Sequence, residues 1–212
     1  MLTLAINTAS SITAIALLDS QNLLGEKSWK STNDEAEKLM PAIDELLKEH
    51  SKSYDEIEKV ISVKGPGSFT GLRVGITVAN TISYLNECDL FTIDTFNYWH
   101  SIDQNSALSQ DKALLIFAGR MGVYVSLSGK EPENVNLDDL NSNLADKNIT
   151  EVFGDISDDQ KEVLDIPFVE TDESFGGIIS KLATENLTKE TIIKPNYIKS
   201  PGITLSKKTL LD

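Results

Sequence analysis

The chain has 212 residues, 40% of them hydrophobic and 25% charged, which fits a soluble globular protein of one large domain or two small ones. No run of about 18 apolar residues occurs, which excludes a membrane-spanning helix; the first six residues lack the basic head and long apolar core of a signal peptide; and the single cysteine, Cys88, excludes an internal disulfide or a cysteine metal cage and points to a cytoplasmic location. The formal charge of −14, from 33 acidic and 19 basic residues, opposes direct nucleic-acid binding unless a basic patch is segregated, and only Lys194, Lys199, Lys207 and Lys208 come near to one.

Leu2, Leu4 and Ile6 alternate with Thr3, Ala5 and Asn7, so residues 2–7 read as a strand. The small polar turn Thr8-Ala9-Ser10-Ser11 leads into residues 12–18, apolar at nearly every position and so a strand covered on both faces. A third strand over 23–29 completes a predicted antiparallel meander. The period then changes. Ala36, Leu39, Met40, Ile43, Leu46 and Leu47 have the three-and-four spacing of one helix face within residues 33–50. Asn33 or Asp34 can cap this helix, Glu35 and Glu37 complement its dipole, and Pro41 inside it should kink it. Ser53 and Glu56 have capping-box spacing, which predicts a short helical turn there.

The stretch that organises the chain comes next. The apolar run over 59–63 reads as a buried strand, followed by Lys64-Gly65-Pro66-Gly67-Ser68-Phe69-Thr70-Gly71-Leu72-Arg73-Val74-Gly75 and a helix to Leu85. Strand, glycine turn and helix can present backbone N–H groups to an anion, with Ser68 or Thr70 as cap. Neither phosphate fingerprint is met, because both need a glycine where Thr70 stands, and the P-loop needs a lysine where Gly71 stands. Tight strand-to-helix packing is the simpler reading. From Phe69 to Leu85 the only charge is Arg73, and a helix apolar on most sides is covered on more than one. Gly67, Gly71 and Gly75 recur every fourth residue and predict a flat strip that another helix could approach. The expectation is one face on the chain's own sheet and one on a partner; a central helix of one large core is the alternative. On that expectation Gly71→Arg or Ile76→Glu would leave the fold intact and abolish association.

Residues 90–93 end the first half as a strand, and Tyr98, Trp99 and His100 fall in an aromatic loop. The second half begins near Ser106. Strands over 113–117 and 123–127 flank the turn Ala118-Gly119-Arg120-Met121-Gly122, repeating the opening hairpin and predicting an internal duplication. Helices are expected over 137–146, 158–164 and 174–186, with short strands over 151–153 and 167–169. Between Lys130 and Glu173 there are 14 acidic residues against 3 lysines, which reads as a solvated acidic face or, failing that, a docking surface for a basic partner.

The glycine stretch over 65–75 resembles the signature of the bacterial TsaB (YeaZ) family. Three weaker segments fall in the right order: Ile6-Asn7-Thr8-Ala9 is similar to the family's Ile-Asp-Thr-Ala, Gly119-Arg120-Met121-Gly122-Val123-Tyr124 to its Ala-Arg-Met-Gly-Glu-Val-Tyr, and Pro195-Asn196-Tyr197-Ile198-Lys199 to its Pro-x-Tyr-Leu-Arg. Gly119 in place of the alanine, and the missing glutamate before Val123, depart from the pattern. The resemblance implies an α/β, actin-like (ASKHA, RNase H-like) duplicated fold of two lobes with mixed sheets and flanking helices, here residues 1–104 and 105–212. It implies a non-catalytic scaffold or dimerisation subunit for threonylcarbamoylation of the adenosine beside the tRNA anticodon. The partners would be a TsaD-like catalytic subunit and a TsaE-like ATPase, with a homodimer when alone. ATP and Mg²⁺ would belong to the partner complex, with no cofactor of this chain's own. The partner-binding set would be Leu39, Ile43, Phe69, Gly71, Leu72, Arg73, Gly75, Ile76 and Ala79, and any nucleotide would meet Asn7, Thr8, Gly67, Ser68 and Thr70.

The residue inventory opposes an independent catalyst. Such a fold uses a carboxylate at its first turn to hold Mg²⁺, and Asn7 is a poor ligand for a hard cation. His50 and His100 are far apart in sequence and show no metal-binding spacing, so no metal is expected. Ser68 lacks a nucleophile elbow and reads as a cap. The alternative is an independent ATP-dependent kinase or ATPase of the same fold.

Overall fold

The computed structural model describes residues 1–32, 34–102, 111–127, 130–182 and 184–198. The cap expected at Asn33, the start of the second half near Ser106, and Lys199, Lys207 and Lys208 lie outside the described residues. Among the described residues no helix is long and apolar enough to cross a membrane.

The opening meander forms as β1 (Leu2–Asn7), β2 (Ile12–Asp19) and β3 (Asn22–Lys30), paired antiparallel. Helix α1 (Glu35–Glu49) then crosses to β4 (Ile57–Val63), and α2 (Phe69–Asn86) crosses to β5 (Asp89–Ile93). Both strands run parallel to β1 and to each other. Alternation along β3 shows how the sheet is covered: Lys27 reaches Glu45 and Glu49 on α1, while Glu26 faces the other way and accepts from the N–H of Gly176 at 2.7 Å. Gly176 belongs to α6 (Phe175–Lys181). Helices therefore cover both faces of the sheet, and every residue of β1 is buried.

The second sheet repeats the pattern. β6 (Lys112–Phe117), β7 (Gly122–Ser126) and β8 (Glu133–Asn136) form an antiparallel meander. After α4 (Leu140–Asp146), β9 (Glu151–Asp155) pairs parallel with β6; after α5 (Asp158–Glu162), β10 (Phe168–Val169) pairs parallel with β9. The strand order is β10-β9-β6-β7-β8 beside β11-β5-β4-β1-β2-β3, the same order but for the added β11 (Thr188–Glu190). The duplication expected from two similar hairpins is thus present in the topology, although the sequences of the halves have diverged.

Several expectations are corrected. Residues 175–193 return to the first lobe: Phe175, Ile178, Ile179, Leu182 and Ile193 join its core, and β11 pairs with β5, so the second lobe does not extend through the tail. The helix expected over 174–186 is only α6 and a short turn at Thr184–Asn186. The aromatic loop is a helix, α3 (Thr95–Ile102), started by Asp94, whose carboxylate accepts from the N–H of Asn97 at 3.0 Å. It joins the lobes, since Phe96 packs with Leu114, Ile116 and Tyr124 while Tyr98 lies against Phe175 in the first core. Helix α1 runs continuously through the exposed Pro41. Asp34 stands at its cap position but takes its bonds from Thr32 and Lys38.

Candidate functional site

The glycine turn is a packing device. Gly65, at φ +98°, takes a backbone angle that favours glycine. Ser68 caps α2, its hydroxyl accepting from the N–H of Gly71 at 3.1 Å, and its own N–H donates to the Ala9 carbonyl at 2.8 Å. A Cβ on Gly67 would stand 2.1 Å from the Ala9 carbonyl oxygen, one on Gly71 2.0 Å from that of Thr8, and one on Gly75 2.1 Å from the Thr8 hydroxyl. The glycine strip is therefore filled by the chain's own β1–β2 turn, which corrects the expectation that a partner helix lies along it. Gly71→Arg cannot leave the fold intact, and Ile76→Glu would bury a charge. Leu39, Ile43, Leu72, Ile76 and Ala79, expected at the partner surface, sit in the first core. Phe69 and Arg73 remain outside it, and Tyr197 meets them: its ring lies 5.0 Å from that of Phe69, Arg73 stacks 3.9 Å over Phe69, and Arg73 Nε donates to the Tyr197 hydroxyl at 3.3 Å.

A different face of α2 is left over. Thr70, Thr77, Thr81, Tyr84 and Leu85 are exposed, and Val74 and Val78 are half-buried. Tyr84 is 83% and Leu85 72% exposed, and Arg73 is the only charge on the helix. On the neighbouring α1, Met40 is exposed as well. An outer face with a single charge, Arg73, on an 18-residue helix stands apart on a chain with a quarter of its residues charged. The sequence signal for it was the missing charge; the glycines pointed to the wrong side.

Between the lobes lies a cleft of about 750 Å³, walled by the β1–β2 turn, the start of α2, the β6–β7 turn, residues 155–157 and residues 196–198. Gly67, Ser68 and Thr70 line it. Asn7 and Thr8 do not. The Asn7 carboxamide accepts from the N–H of Ala9 at 3.0 Å and donates to the Ser10 hydroxyl at 3.1 Å, while Thr8 is held against Gly71 and Gly75. None of the described lining residues is basic, and the carboxylate in the cleft is Asp155, which sequence reasoning missed. It accepts from the N–H of Ser11 at 2.8 Å and from the Ser11 hydroxyl. Burial raises its pKa above the usual carboxylate range, against the lowering effect of Ser11, Lys161 and Ser10. The histidines lie apart from this cleft: His50 packs on Gly25, and His100 Nε2 is 3.1 Å from the Ser126 hydroxyl. Among the described residues no cluster of three or more metal-ligating side chains occurs.

The chain matches the family model described as TsaD, tRNA N6-adenosine threonylcarbamoyltransferase, over residues 30–202. It is similar to the tRNA threonylcarbamoyladenosine biosynthesis protein TsaB of Bacillus subtilis, 33% identical over 84 residues, which are 40% of this chain and 37% of that protein. The TsaB of Buchnera aphidicola is 38% identical over 80 residues, 38% of this chain and 36% of the relative. These matches span little more than a third of the relatives' length. Among solved structures, YeaZ from Pseudomonas aeruginosa superposes with a TM-score of 0.51 at 21% identity over 64% of each chain. A protein described as similar to peptidase YeaZ from Pseudomonas aeruginosa gives 0.59 at 18% identity, over 84% of this chain and 88% of that one. With the repeated strand order, these place the molecule in the duplicated actin-like fold.

Proposed function

This chain belongs to the TsaD family, on its TsaB/YeaZ branch, and from that premise we propose that it acts in the biosynthesis of threonylcarbamoyladenosine in tRNA as a supporting subunit without catalysis of its own. It would bind a TsaD-like catalytic subunit, with a TsaE-like ATPase joining the assembly, and pair with itself when alone. The observation that carries this reading is the outer face of α2, exposed and bearing one charge, Arg73. Covering Tyr84 or Leu85 would stabilise a complex by about 1.5–3 kcal/mol each, and Tyr and Arg are the side chains that dominate interfaces when desolvated. The docking set is therefore redrawn to Val74, Thr77, Val78, Thr81, Tyr84 and Leu85. Thr77→Arg combined with Leu85→Glu changes only outward-facing side chains. We expect the double variant to keep the melting temperature of the parent and to lose co-elution with the TsaD-like protein. Undiminished co-elution would remove the interface.

The inter-lobe cleft gives the alternative, an independent ATP-dependent enzyme, a place to act. Its walls oppose that reading, because the described lining has no basic side chain to meet a polyphosphate and Asn7 is engaged within its own turn. Calorimetry with Mg-ATP separates the two: tight binding and turnover by the lone chain would favour the enzyme.

A further inference from the structure

The gap between the lobes is divided. The front cleft and a second hollow of about 610 Å³ behind it share Ser10, Ser11, Asp155, Ile156 and Ser157 as walls, so the contact of Asp155 with Ser11 stands between them. That contact is built from both sides. Gly154 precedes Asp155 at φ +125°, and a Cβ there would stand 2.2 Å from the Leu115 carbonyl oxygen, so only glycine lets β9 end with this carboxylate against the opposite lobe. On the other side, Ser11 offers both its N–H and its hydroxyl. The neighbouring N–H of Ala9 already serves Asn7. The turn's donors thus meet carboxylate and carboxamide oxygens of the chain itself, the acceptor chemistry that an entering anion would bring.

We propose that Asp155 is a built-in latch: its carboxylate ties β9 of the second lobe to the β1–β2 turn of the first, keeps the gap divided, and occupies the donors that a polyphosphate would need. The lone chain consequently refuses anionic ligands while the latch is closed. Breaking it joins the two hollows and frees the Ser11 donors. The latch shares no residue with the docking set on α2.

The full chain is titrated with inorganic pyrophosphate by calorimetry, as the parent, as Asp155→Ala and as Lys30→Ala. The last removes an exposed contact across the same gap, Lys30 to Asp158 at 3.3 Å, without touching the latch. The expected result is no binding by the parent or Lys30→Ala and saturable binding by Asp155→Ala, at least about tenfold tighter than the parent's detection limit. Hydrogen exchange at the Ser11 amide should quicken in Asp155→Ala alone. Should that variant fail to fold, Asp155→Ser, too short to hold Ser11, undergoes the same titration. Pyrophosphate binding by the parent or Lys30→Ala equal to that of the latch variant, or none by a folded latch variant, overturns the proposal.

Discussion

Two hairpin turns occupy equivalent places in the two sheets, and they have been put to different use. The β1–β2 turn is buried: α2 lies on it through Gly67, Gly71 and Gly75, Asn7 closes it from within, and Asp155 ties it to the other lobe. The β6–β7 turn is open, with Met121 64% exposed and nothing within 4 Å of a Cβ added at Gly119. Backbone bonds close it, from the N–H of Ala118 to Gly122 and of Leu137 to Met121, and Gln160 of α5, buried to 1% exposure, adds an amide that donates to the carbonyls of Gly119 at 2.9 Å and Gly122 at 3.1 Å. One topology thus yields a turn pressed against a helix and a turn held by hydrogen bonds, its own and those of Gln160. The first lobe can afford no change at its turn; the second can.

The sharpest break of this comparison is Gly71→Arg. A side chain there must displace the Thr8 carbonyl, which lies 2.0 Å from its Cβ and belongs to buried backbone. We expect a loss well above about 4 kcal/mol, large enough to leave no cooperative urea transition. Gly119→Ala in the open turn meets no neighbour and bears only the strain of φ +103°, about 1–2 kcal/mol. Similar losses for the two would erase the distinction between the turns.

The second variant, Gln160→Ala, tests whether the open turn depends on one side chain. It removes both donors to the turn, and with them the carboxamide oxygen that accepts from the N–H of Ser157 at 3.2 Å. Both carbonyls keep a backbone donor, the N–H of Gly122 on Gly119 and that of Ala118 on Gly122, so each lost side-chain bond costs about 0.5–1.5 kcal/mol. The loss should appear as a lower urea midpoint, with faster amide exchange confined to residues 118–122. Exchange that quickens equally in the first lobe would show that the turns are not independently held.

Much of this was legible in the sequence because it is local. Alternation in residues 2–7, the three-and-four spacing from Ala36 to Leu47 and the capping role of Ser68 depend on neighbours a few positions away. The scarcity of charge on α2 goes with a face left exposed. What could not be read was direction. Gly67, Gly71 and Gly75 announce a close approach without saying to what, and the answer, Thr8 and Ala9, lies some sixty residues away. Asp155 went unread for the same reason: it looked like one more charge in an acidic lobe, and only the fold brings it to Ser11. α3 was missed because Phe, Tyr, Trp and His are indifferent helix formers, although Asp94 before Thr95 was an available start signal.

The smallest expected effect concerns pH and the Asp155 link between the lobes. Burial raises the pKa of Asp155 in the folded chain. The folded state therefore keeps a proton that the unfolded state gives up, and the stability associated with it is complete below the unfolded value of about 3.9 and is lost as pH rises through the higher folded value. Lys161 and Lys30, together with Glu26, Asp158, Asp159, Glu170 and Glu173, line the same hollow. Lys161 favours the ionised form and so narrows the window. Asp155→Asn removes the ionisation while leaving an amide oxygen to accept from Ser11. Its urea midpoint should change less than the parent's between pH 4 and 7, the parent losing ground as pH rises. A parent that gains stability over the variant across that range would mean that the Ser11 donations, not burial, govern the carboxylate, and the tie between the two turns would then be strongest when charged.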